Sequence, residues 1–372
     1  MVKRNKKILI ISVSTGSGHV RAANSILKTA REKHPHLHID HIDMMDYVSK
    51  TMRKTIVESY NLMVKQLPEL WSFFYKKTDG HKFSTHVRRL SKLFNRVNTG
   101  HFFEYIKNYK PDYIIVTHFL PIYAISQMKK KYGITVPISI VITDYHNHDL
   151  QIAPNISRYF VASKKMLQKL NLQGVPKKNI IVSGIPIDPV FYKPKSISRL
   201  KKIYNAPKNI TNILVLSGGQ GFADTNKIIT TLFKSKNKLN IIAIAGNNIK
   251  LQQQLQRLKP PKKIDLKVIG WTDKIDDYMR ISDIVITKPG GLTTTECIIL
   301  KKPIIAISPI PGQEEYNAEY ILENRLGVIA RTPEDLLYYL YKGIPSQPNH
   351  IYKKLKKGNF TAAEKILNEV LK

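Results

Sequence analysis

Short apolar runs rich in isoleucine and valine alternate with longer stretches of helical periodicity, and this alternation restricts the fold more than any other feature. Strands are predicted over 7–13, 37–42, 112–117, 137–143, 158–162 and 180–183, and then over 212–217, 240–245, 266–269, 283–287 and 303–307. Continuous apolar runs of this length, joined by helices, are typical of parallel sheets covered on both faces. The two sets are similar in size, so the sequence predicts an α/β protein with two doubly wound domains facing a cleft.

The stretch from Phe191 to Ser198 lies between the two sets and is predicted to be a linker. It divides the chain into an N-terminal domain over 1–193 and a C-terminal domain over 194–372. An amphipathic helix is predicted over about 361–371. The pattern leaves open whether this last helix packs back on the N-terminal domain.

The chain carries a large excess of positive charge: 60 lysines and arginines against 27 aspartates and glutamates leave a formal net charge of +33. Such a surface attracts nucleic acid, anionic lipid or nucleotide phosphates. Lysine supplies 47 of the basic residues and arginine only 13, although base readout favours arginine. We therefore expect no nucleic-acid partner.

Three further features bear on the compartment. The single cysteine, Cys297, excludes an internal disulfide framework and is typical of a reducing cytosol. No apolar run approaches the ~18 residues that span a bilayer. The first apolar run is too short for a signal peptide and ends in a glycine loop. We expect a soluble or peripheral intracellular protein.

The segment 50–110 concentrates 13 basic and 4 acidic side chains. Aromatic residues lie between them, among them Trp71, Phe73, Phe74, Tyr75, Phe83 and Phe94. Lysines around apolar groups suit an interfacial helix, which buries its aromatic residues among acyl chains and turns its cations toward anionic headgroups. An ordinary core predicts the same spacing, and the residues alone leave both interpretations open.

A glycine loop, Gly16-Ser17-Gly18-His19, follows the first strand. Glycines there let backbone amides approach a ligand. The loop lacks the third glycine and the acidic ribose ligand of a dinucleotide site. His19 stands where a general base would be placed, since an imidazole titrates near neutral pH. The alternative is a histidine that caps the following helix.

The histidine-rich run 34–46 invites a metal site, because strand alternation would put His36, His38 and Asp40 on one face. Zinc sites draw their ligands from rigid, converging elements. This run is more typical of an edge strand with polar outer positions, and we expect no metal there.

Glycine and hydroxyl residues follow three of the later strands. Gly218 and Gly219 come after the strand 212–217, and the loop 288–296 comes after 283–287. In that loop Gly290 and Gly291 expose amides at a helix start, which suits a diphosphate, and Glu296 is spaced to accept ribose hydroxyls. The polar run 309–317 then suits sugar hydroxyls. Each of the loops 288–296 and 309–317 alone is also what a turn before a capped helix would show, but together they predict a nucleotide-sugar pocket.

Six motifs together resemble the monogalactosyldiacylglycerol synthase and processive diacylglycerol glucosyltransferase family, within glycosyltransferase family 28. The similarity runs almost end to end. It is carried by Gly16-Ser-Gly18-His19, Pro111-Asp-Tyr-Ile-Ile with His118, Thr143-Asp144, Gly184-Ile-Pro-Ile-Asp-Pro-Val-Phe191, Lys288–Glu296, and Pro311-Gly-Gln-Glu314 with Asn317.

This resemblance implies a GT-B fold, with an N-terminal acceptor domain and a C-terminal UDP-sugar domain. The implied reaction is inverting transfer from an α-linked UDP-hexose, glucose favoured and galactose open, to diacylglycerol, giving a β-glycolipid. No cofactor or metal is expected, since a helix N-terminus can stabilise leaving UDP. The segment 50–110 would dock on an anionic membrane, at the inner face of the cell membrane.

The resemblance also assigns roles to residues. His19 would be the base and Asp144 would lie near the reaction centre. Donor contacts would come from the diphosphate, ribose, uracil and sugar ligands Gly218, Gly219, Gly270, Trp271, Gly290, Gly291, Thr293, Glu296, Gln313, Glu314 and Asn317. The acceptor loops would hold Gly16, Gly18, His118 and His148.

One departure and three alternatives stay open. Relatives carry Trp-x-His where this chain has Gln151-Ile152-Ala153, so the acceptor wall differs. The acceptor could be a polyprenyl-linked cell-wall intermediate. The fold could instead serve a sugar-nucleotide 2-epimerase, or a basic lipid- or nucleic-acid-binding module without chemistry. Processivity, oligomeric state and regulation are not encoded in these motifs.

Overall fold

The computed structural model describes residues 6–51, 53–54, 100–125, 133, 135–218, 225–310, 312–344 and 360–372. The chain divides into two compact units. The first comprises Met1–Pro189 with Gly358–Lys372, and the second comprises Val190–Lys357. Each unit is built around one parallel six-stranded sheet.

The sheet of the first unit has the order β2-β1-β3-β4-β5-β6. Its strands are β1 Lys7–Ser12, β2 His38–Asp43, β3 Tyr113–Val116, β4 Ile138–Val141, β5 Arg158–Val161 and β6 Ile180–Val182, and its first helices are α1 Ser17–Lys33, α2 Gly100–Tyr109 and α3 Lys164–Leu172. Each strand overlaps a predicted one. The chain leaves β1 toward β2 on one side and returns to β3 on the other, so the strand order reverses between β1 and β3. Ligands of doubly wound sheets bind at such a reversal.

The C-terminal helix, Ala362–Leu371, belongs to the first unit. Ile366 and Leu367 are fully buried against Ala23 and Ile26 of α1. At its rim, Arg158 of β5 forms an ion pair with Glu369 at 3.2 Å. The chain therefore returns to its N-terminal unit for its last helix, the option that the sequence pattern had left open.

The sheet of the second unit has the order β12-β11-β10-β7-β8-β9. Its strands are β7 Thr211–Leu216, β8 Leu239–Ile244, β9 Ile264–Ile269, β10 Ile284–Thr287, β11 Ile304–Ile307 and β12 Gly327–Ala330, and its helices are α4 Ile197–Ile203, α5 Thr225–Leu232, α6 Ile249–Gln256, α7 Ile275–Ile281, α8 Gly291–Ile299, α9 Gln313–Glu323 and α10 Pro333–Lys342. Here the order reverses between β7 and β10, so the loops after β7, β10 and β11 are neighbours.

The strand β12 was not predicted from the sequence. It is four residues long and starts at Gly327, where a Cβ atom would lie 2.0 Å from the carbonyl oxygen of Ile304 on β11. Glycine weakens a strand pattern, yet here it permits the close approach of the two backbones.

The boundary between the units lies four residues before the predicted one, and the segment at 190–193 belongs to the second unit. Arg280 of α7 explains this position. Its guanidinium donates to the carbonyl oxygens of Val190, Phe191 and Lys193 at 2.8–3.2 Å. A single buried cation thus fixes the start of the unit.

Candidate active site

His19 lies in the first turn of α1, which begins at Ser17. Gly16 is the N-cap, with extended backbone and without a capping side chain. The alternative interpretation of His19 as a helix cap is therefore wrong. A Cβ atom on Gly16 would have no neighbour within 4 Å, so the approach to this turn is open on that side.

The His19 ring is held by the ends of two other strands. Nδ1 lies 2.6 Å from the carbonyl oxygen of Thr117, directly after β3, and 3.2 Å from the Oγ1 of Thr143, after β4. A carbonyl oxygen can only accept, so Nδ1 carries the proton and donates it. In the neutral ring, Nε2 then holds the lone pair. The fold selects the tautomer that a general base needs.

Burial and charge act on His19 in opposite directions. Burial is the larger influence and lowers the pKa of the imidazole below 6.5, while the carboxylate of Asp144 and the bond to Thr117 raise it. Asp144 itself is only 8% exposed. The imidazole is therefore neutral at pH 7 and has an anion nearby to stabilise the protonated form.

His118 stands edge-on to His19, with ring centroids 4.6 Å apart and an interplanar angle of 88°. Its Nδ1 accepts from the backbone N–H of Leu120 at 3.2 Å, and its ring stacks on Phe119. Burial, and then the neighbouring His19, lower its pKa well below 6.5. His118 therefore packs beside the candidate base as a neutral ring.

The segment that departs from the family pattern has a structural role of its own. His148 caps the 3₁₀ helix Asp149–Gln151: its Nδ1 accepts from the N–H of Leu150, and its own N–H donates to the side chain of Gln151 at 3.0 Å. Gln151 therefore supports the turn that carries His148. The predicted acceptor-side residue His148 is 6% exposed.

The histidine-rich run forms the edge strand β2, and its polar groups bond within the unit. His41 bonds to Ser12 Oγ at 2.8 Å and to Asn24 Oδ1 at 2.9 Å. Among the described residues there is no cluster of three or more histidine, cysteine, aspartate or glutamate side chains that could hold a metal ion.

In the second unit, the N-terminus of α8 is suited to an anion. Its N-cap is Gly290, which has no capping side chain and open space where a Cβ would lie. The first-turn amides of a helix have no partners within it, and the helix dipole adds positive potential. Thr293, half-buried in that first turn, adds a hydroxyl group. Gly291 is the first residue of the helix and is buried.

Two predicted donor ligands are deeply enclosed. Glu296 of α8 is 1% exposed and Asn317 of α9 is 0% exposed. Their roles toward ribose and sugar hydroxyls stay predictions. On the same helix as Glu296, the buried hydroxyl of Thr294 has no hydrogen-bond partner within the described residues.

The start of α9 is built around two carboxylates. Gly312, at a φ of 84° that favours glycine, is its N-cap, and its N–H donates to Glu315 at 2.9 Å. Glu314 accepts from the N–H of Ile310 at 2.8 Å and from the ammonium of Lys288 at 3.1 Å. Lys288 is the first residue of the predicted donor loop 288–296, but no role was predicted for it. A lysine directly after a buried strand is the signal that could have pointed to it.

Gly270 and Trp271, the predicted uracil ligands, follow the edge strand β9. This strand lies two positions from β7 in the sheet, which is roughly 10 Å at the usual spacing between strands. Trp271 is 67% exposed. Gly270 lies against the flexible end of Gln252. Gly218 turns at a φ of 76° directly after β7.

Several predicted features fall outside the described residues. They are Gly219, the side chain of Gln313, and the greater part of the basic, aromatic segment, over 55–99. Gly18 is the second residue of α1.

Two doubly wound parallel sheets, each with loops suited to a ligand where the strand order reverses, define the GT-B fold. Solved structures share this fold over nearly the whole chain. MurG of Acinetobacter baumannii matches at a TM-score of 0.60 and 13% identity, covering 98% of this chain and 99% of that one. The kitacinnamycin glycotransferase matches at a TM-score of 0.64 and 12% identity, covering 99% of this chain and 100% of that one. The UDP-GlcNAc 2-epimerase of Methanocaldococcus jannaschii matches at a TM-score of 0.54 and 12% identity, covering 98% of this chain and 99% of that one.

The sequence comparisons narrow the class. Residues 19–187 match the family model for monogalactosyldiacylglycerol (MGDG) synthase, and residues 212–366 match the glycosyltransferase family 28 C-terminal domain. The chain thus combines an MGDG synthase-type N-terminal region with a family 28 C-terminal domain, and the protein is a glycosyltransferase enzyme.

Two curated relatives from bacilli are similar to most of the chain. Both are named processive diacylglycerol beta-glucosyltransferase. The Bacillus pumilus protein is 28% identical, covering 90% of this chain and 85% of its own. The Bacillus subtilis protein is 26% identical, covering 99% and 95%.

Proposed function

We propose that this enzyme is an inverting glycosyltransferase that moves a hexose, with glucose favoured, from a UDP-sugar to diacylglycerol at a membrane surface. The names of the bacillar relatives support diacylglycerol as the acceptor class and glucose as the sugar. The observation that carries the chemistry is the bond from His19 Nδ1–H to the carbonyl of Thr117. It leaves Nε2 as the basic nitrogen.

In the proposed step, His19 Nε2 takes the proton from the free hydroxyl of diacylglycerol as that oxygen attacks the anomeric carbon. The new C–O bond forms on the face opposite the leaving group, and the bond to the UDP oxygen breaks with its electron pair. An α-linked donor thus gives a β-linked glycolipid, free UDP and a protonated His19. The negative charge of Asp144, which raises the pKa of His19, stabilises that imidazolium.

The leaving UDP gathers negative charge as the bond breaks. The proposal assigns its stabilisation to the uncapped N-terminus of α8 and to the hydroxyl of Thr293. Preorganised amides aimed at developing charge are among the largest contributions to catalysis. They do so without a metal or cofactor, which the proposal does not require.

Membrane action is supported by charge. The net +33 of the chain attracts anionic headgroups. Within the described ranges, every helix is too short or too polar to cross a bilayer. We place the reaction at the inner face of the cell membrane, with the basic, aromatic segment 50–110 as the docking element.

The test is transfer of labelled glucose or galactose from its UDP donor to diacylglycerol in vesicles that contain anionic lipid. We expect glycolipid from UDP-glucose, and His19→Ala lowers the rate by about 10²–10⁴-fold, as expected for loss of a general base, with UDP affinity unchanged. His36→Ala, on an exposed histidine, is the matched control and keeps full activity. No turnover of either donor by the wild type would refute the proposal.

The departure at Gln151-Ile152-Ala153 leaves one competing acceptor open, a polyprenyl-linked cell-wall intermediate. Because Gln151 is used to cap the His148 turn, the wall beside the acceptor differs from the family pattern. An acceptor screen that offers diacylglycerol and a polyprenyl diphosphate sugar in parallel separates the two. Turnover of the polyprenyl substrate alone would replace diacylglycerol in the proposal.

A further inference from the structure

Lys288 is a buried cation at the end of β10. Its side chain is 7% exposed, and its ammonium nitrogen lies 3.1 Å from Oε2 of Glu314. Removing an ammonium group from water is costly unless an anion compensates it. A lysine kept in this position therefore acts through the carboxylate that faces it.

Glu314 is fixed by the same contact. The oxygen that faces Lys288 also accepts the backbone N–H of Ile310 at 2.8 Å. Two donors on one oxygen determine where the carboxylate points. The Glu314 side chain is 14% exposed, twice the fraction of Lys288, so a ligand reaches the carboxylate more readily than the ammonium behind it.

Three adjacent loops meet at Lys288. It follows β10 itself, Glu314 belongs to the helix after β11, and a Cβ atom at Gly218, after β7, would lie 3.9 Å from its Cδ. These strands are neighbours in the sheet. The lysine stem thus lies beside the Gly218 turn while its head holds Glu314.

We infer that Lys288 is a positioning residue for the donor sugar: its ammonium group holds the Glu314 carboxylate toward the hexose hydroxyls and does not grip the diphosphate. The inference rests on the proposed function, with Glu314 as the sugar ligand that the family resemblance implies. The ion pair is neutral as a unit, so charge stabilisation of the diphosphate stays with α8. Burial lowers the pKa of Lys288, and Glu314 opposes that change.

The measurement that tests this is calorimetric binding of UDP and of UDP-glucose to the full chain. In Lys288→Met we expect the ratio of the Kd for UDP-glucose to the Kd for UDP to rise about tenfold or more, because a charged hydrogen bond to the sugar is misplaced. The Kd for UDP itself stays within about twofold of the wild-type value. Glu314→Gln shows the same selective loss. Lys288→Arg restores part of it.

Two comparisons exclude a merely structural effect. Lys302→Met removes another largely buried lysine of the same unit, whose ammonium donates to the carbonyls of Arg280 and Ser282. We expect it to lower stability without changing the ratio. The double variant Lys288→Met with Glu314→Gln is no worse than the more affected single variant, because the two residues act as one unit.

The outcomes separate the inference from its premise. Equal loss of affinity for UDP and for UDP-glucose in Lys288→Met would mean that the lysine contacts the phosphates. An unchanged ratio of the two Kd values in both Lys288→Arg and Glu314→Gln would mean that the ion pair does not contribute to binding of the sugar. Either result overturns the inference while the proposed function stands. Absence of binding by the wild-type chain to either nucleotide would refute both.

Discussion

His19 and Thr117 are bonded to each other in both directions. The imidazole Nδ1–H donates to the carbonyl oxygen of Thr117 at 2.6 Å, and the Thr117 hydroxyl donates to the carbonyl oxygen of His19 at 3.0 Å. The two residues are 98 positions apart in sequence. Their contact joins the helix after β1 to the loop after β3, at the reversal of strand order. This pair fixes both the place and the tautomer of the candidate base.

The pH dependence of kcat/KM follows from the groups that face His19, namely Asp144 and His118. The neutral imidazole is the active form, and burial lowers its pKa below 6.5, so activity persists to below pH 6.5 and is lost as the pH falls through the pKa of the folded protein. Asp144 raises that pKa. In Asp144→Asn the acid limb therefore moves to lower pH. A limb that moves upward would contradict this arrangement.

The lowered pKa values of the two buried histidines, His19 and His118, also predict a loss of stability in acid. The folded protein resists protonation of His19 and His118, whose pKa values both lie below 6.5, whereas the unfolded chain takes up these protons near 6.5. The free energy of unfolding therefore falls as the pH drops below about 6.5. Urea unfolding at a series of pH values measures it. His118→Phe should flatten the slope in this range.

Thr143 supplies the second oxygen near His19 Nδ1, at 3.2 Å. Thr143→Val keeps the side-chain shape and removes that oxygen. We expect kcat to fall by about 2- to 13-fold, the value of one ordinary hydrogen bond of about 0.5–1.5 kcal/mol, because the Thr117 carbonyl still holds the ring. Thr230→Val, on an exposed helix position, should leave kcat unchanged. A complete loss in Thr143→Val would mean that Thr143 has a different role.

The C-terminal helix should be essential to the first unit. Leu367 is fully buried among residues of α1, and Leu367→Ala is expected to cost about 2–5 kcal/mol of stability through the cavity that it leaves. Leu172→Ala, at a position that is 89% exposed, should change stability by less than about 0.5 kcal/mol. Chemical denaturation of both variants compares them. Equal stability would place the helix outside the core.

Arg280 should be essential to the second unit in the same way. Its guanidinium is bonded to three carbonyls at 190–193 and lies 3.4 Å from Asp276. Arg280→Met removes the donor to these three carbonyl oxygens, while Asp276 keeps its ion pair with Lys195 at 2.7 Å, and the loss is expected to cost about 1–3 kcal/mol. The exposed Arg257→Met is the control. Limited proteolysis near residue 190 would report the freed segment.

The fold was largely predictable because its signal is local. Buried parallel strands appear in a sequence as continuous apolar runs, such as residues 8–11 of β1, and each run can be recognised without knowing its neighbours. The exception, β12, begins with a glycine that its neighbour requires. The position of the unit boundary was not local either, since it depends on a guanidinium about ninety residues later.

The site was predictable in its residue types but not in its connections. The motif named His19 as a base, yet only the structure identifies Thr117 and Thr143 as the groups that orient it. Lys288 stands in the predicted donor loop but was assigned no role, because a lysine usually lies at the surface. Its importance depends on Glu314, which the sequence separates from it by 26 positions.

Single-turnover transfer from UDP-glucose to diacylglycerol by wild type and by His19→Gln is the most direct test, with the anomeric linkage of the product read by NMR. Glutamine keeps a polar side chain at position 19 but cannot take a proton from the acceptor. The account predicts a β-linked glycolipid from wild type and a rate lower by at least about a hundredfold in the variant, at unchanged UDP affinity. An α-linked product, or a variant as fast as wild type, would contradict it.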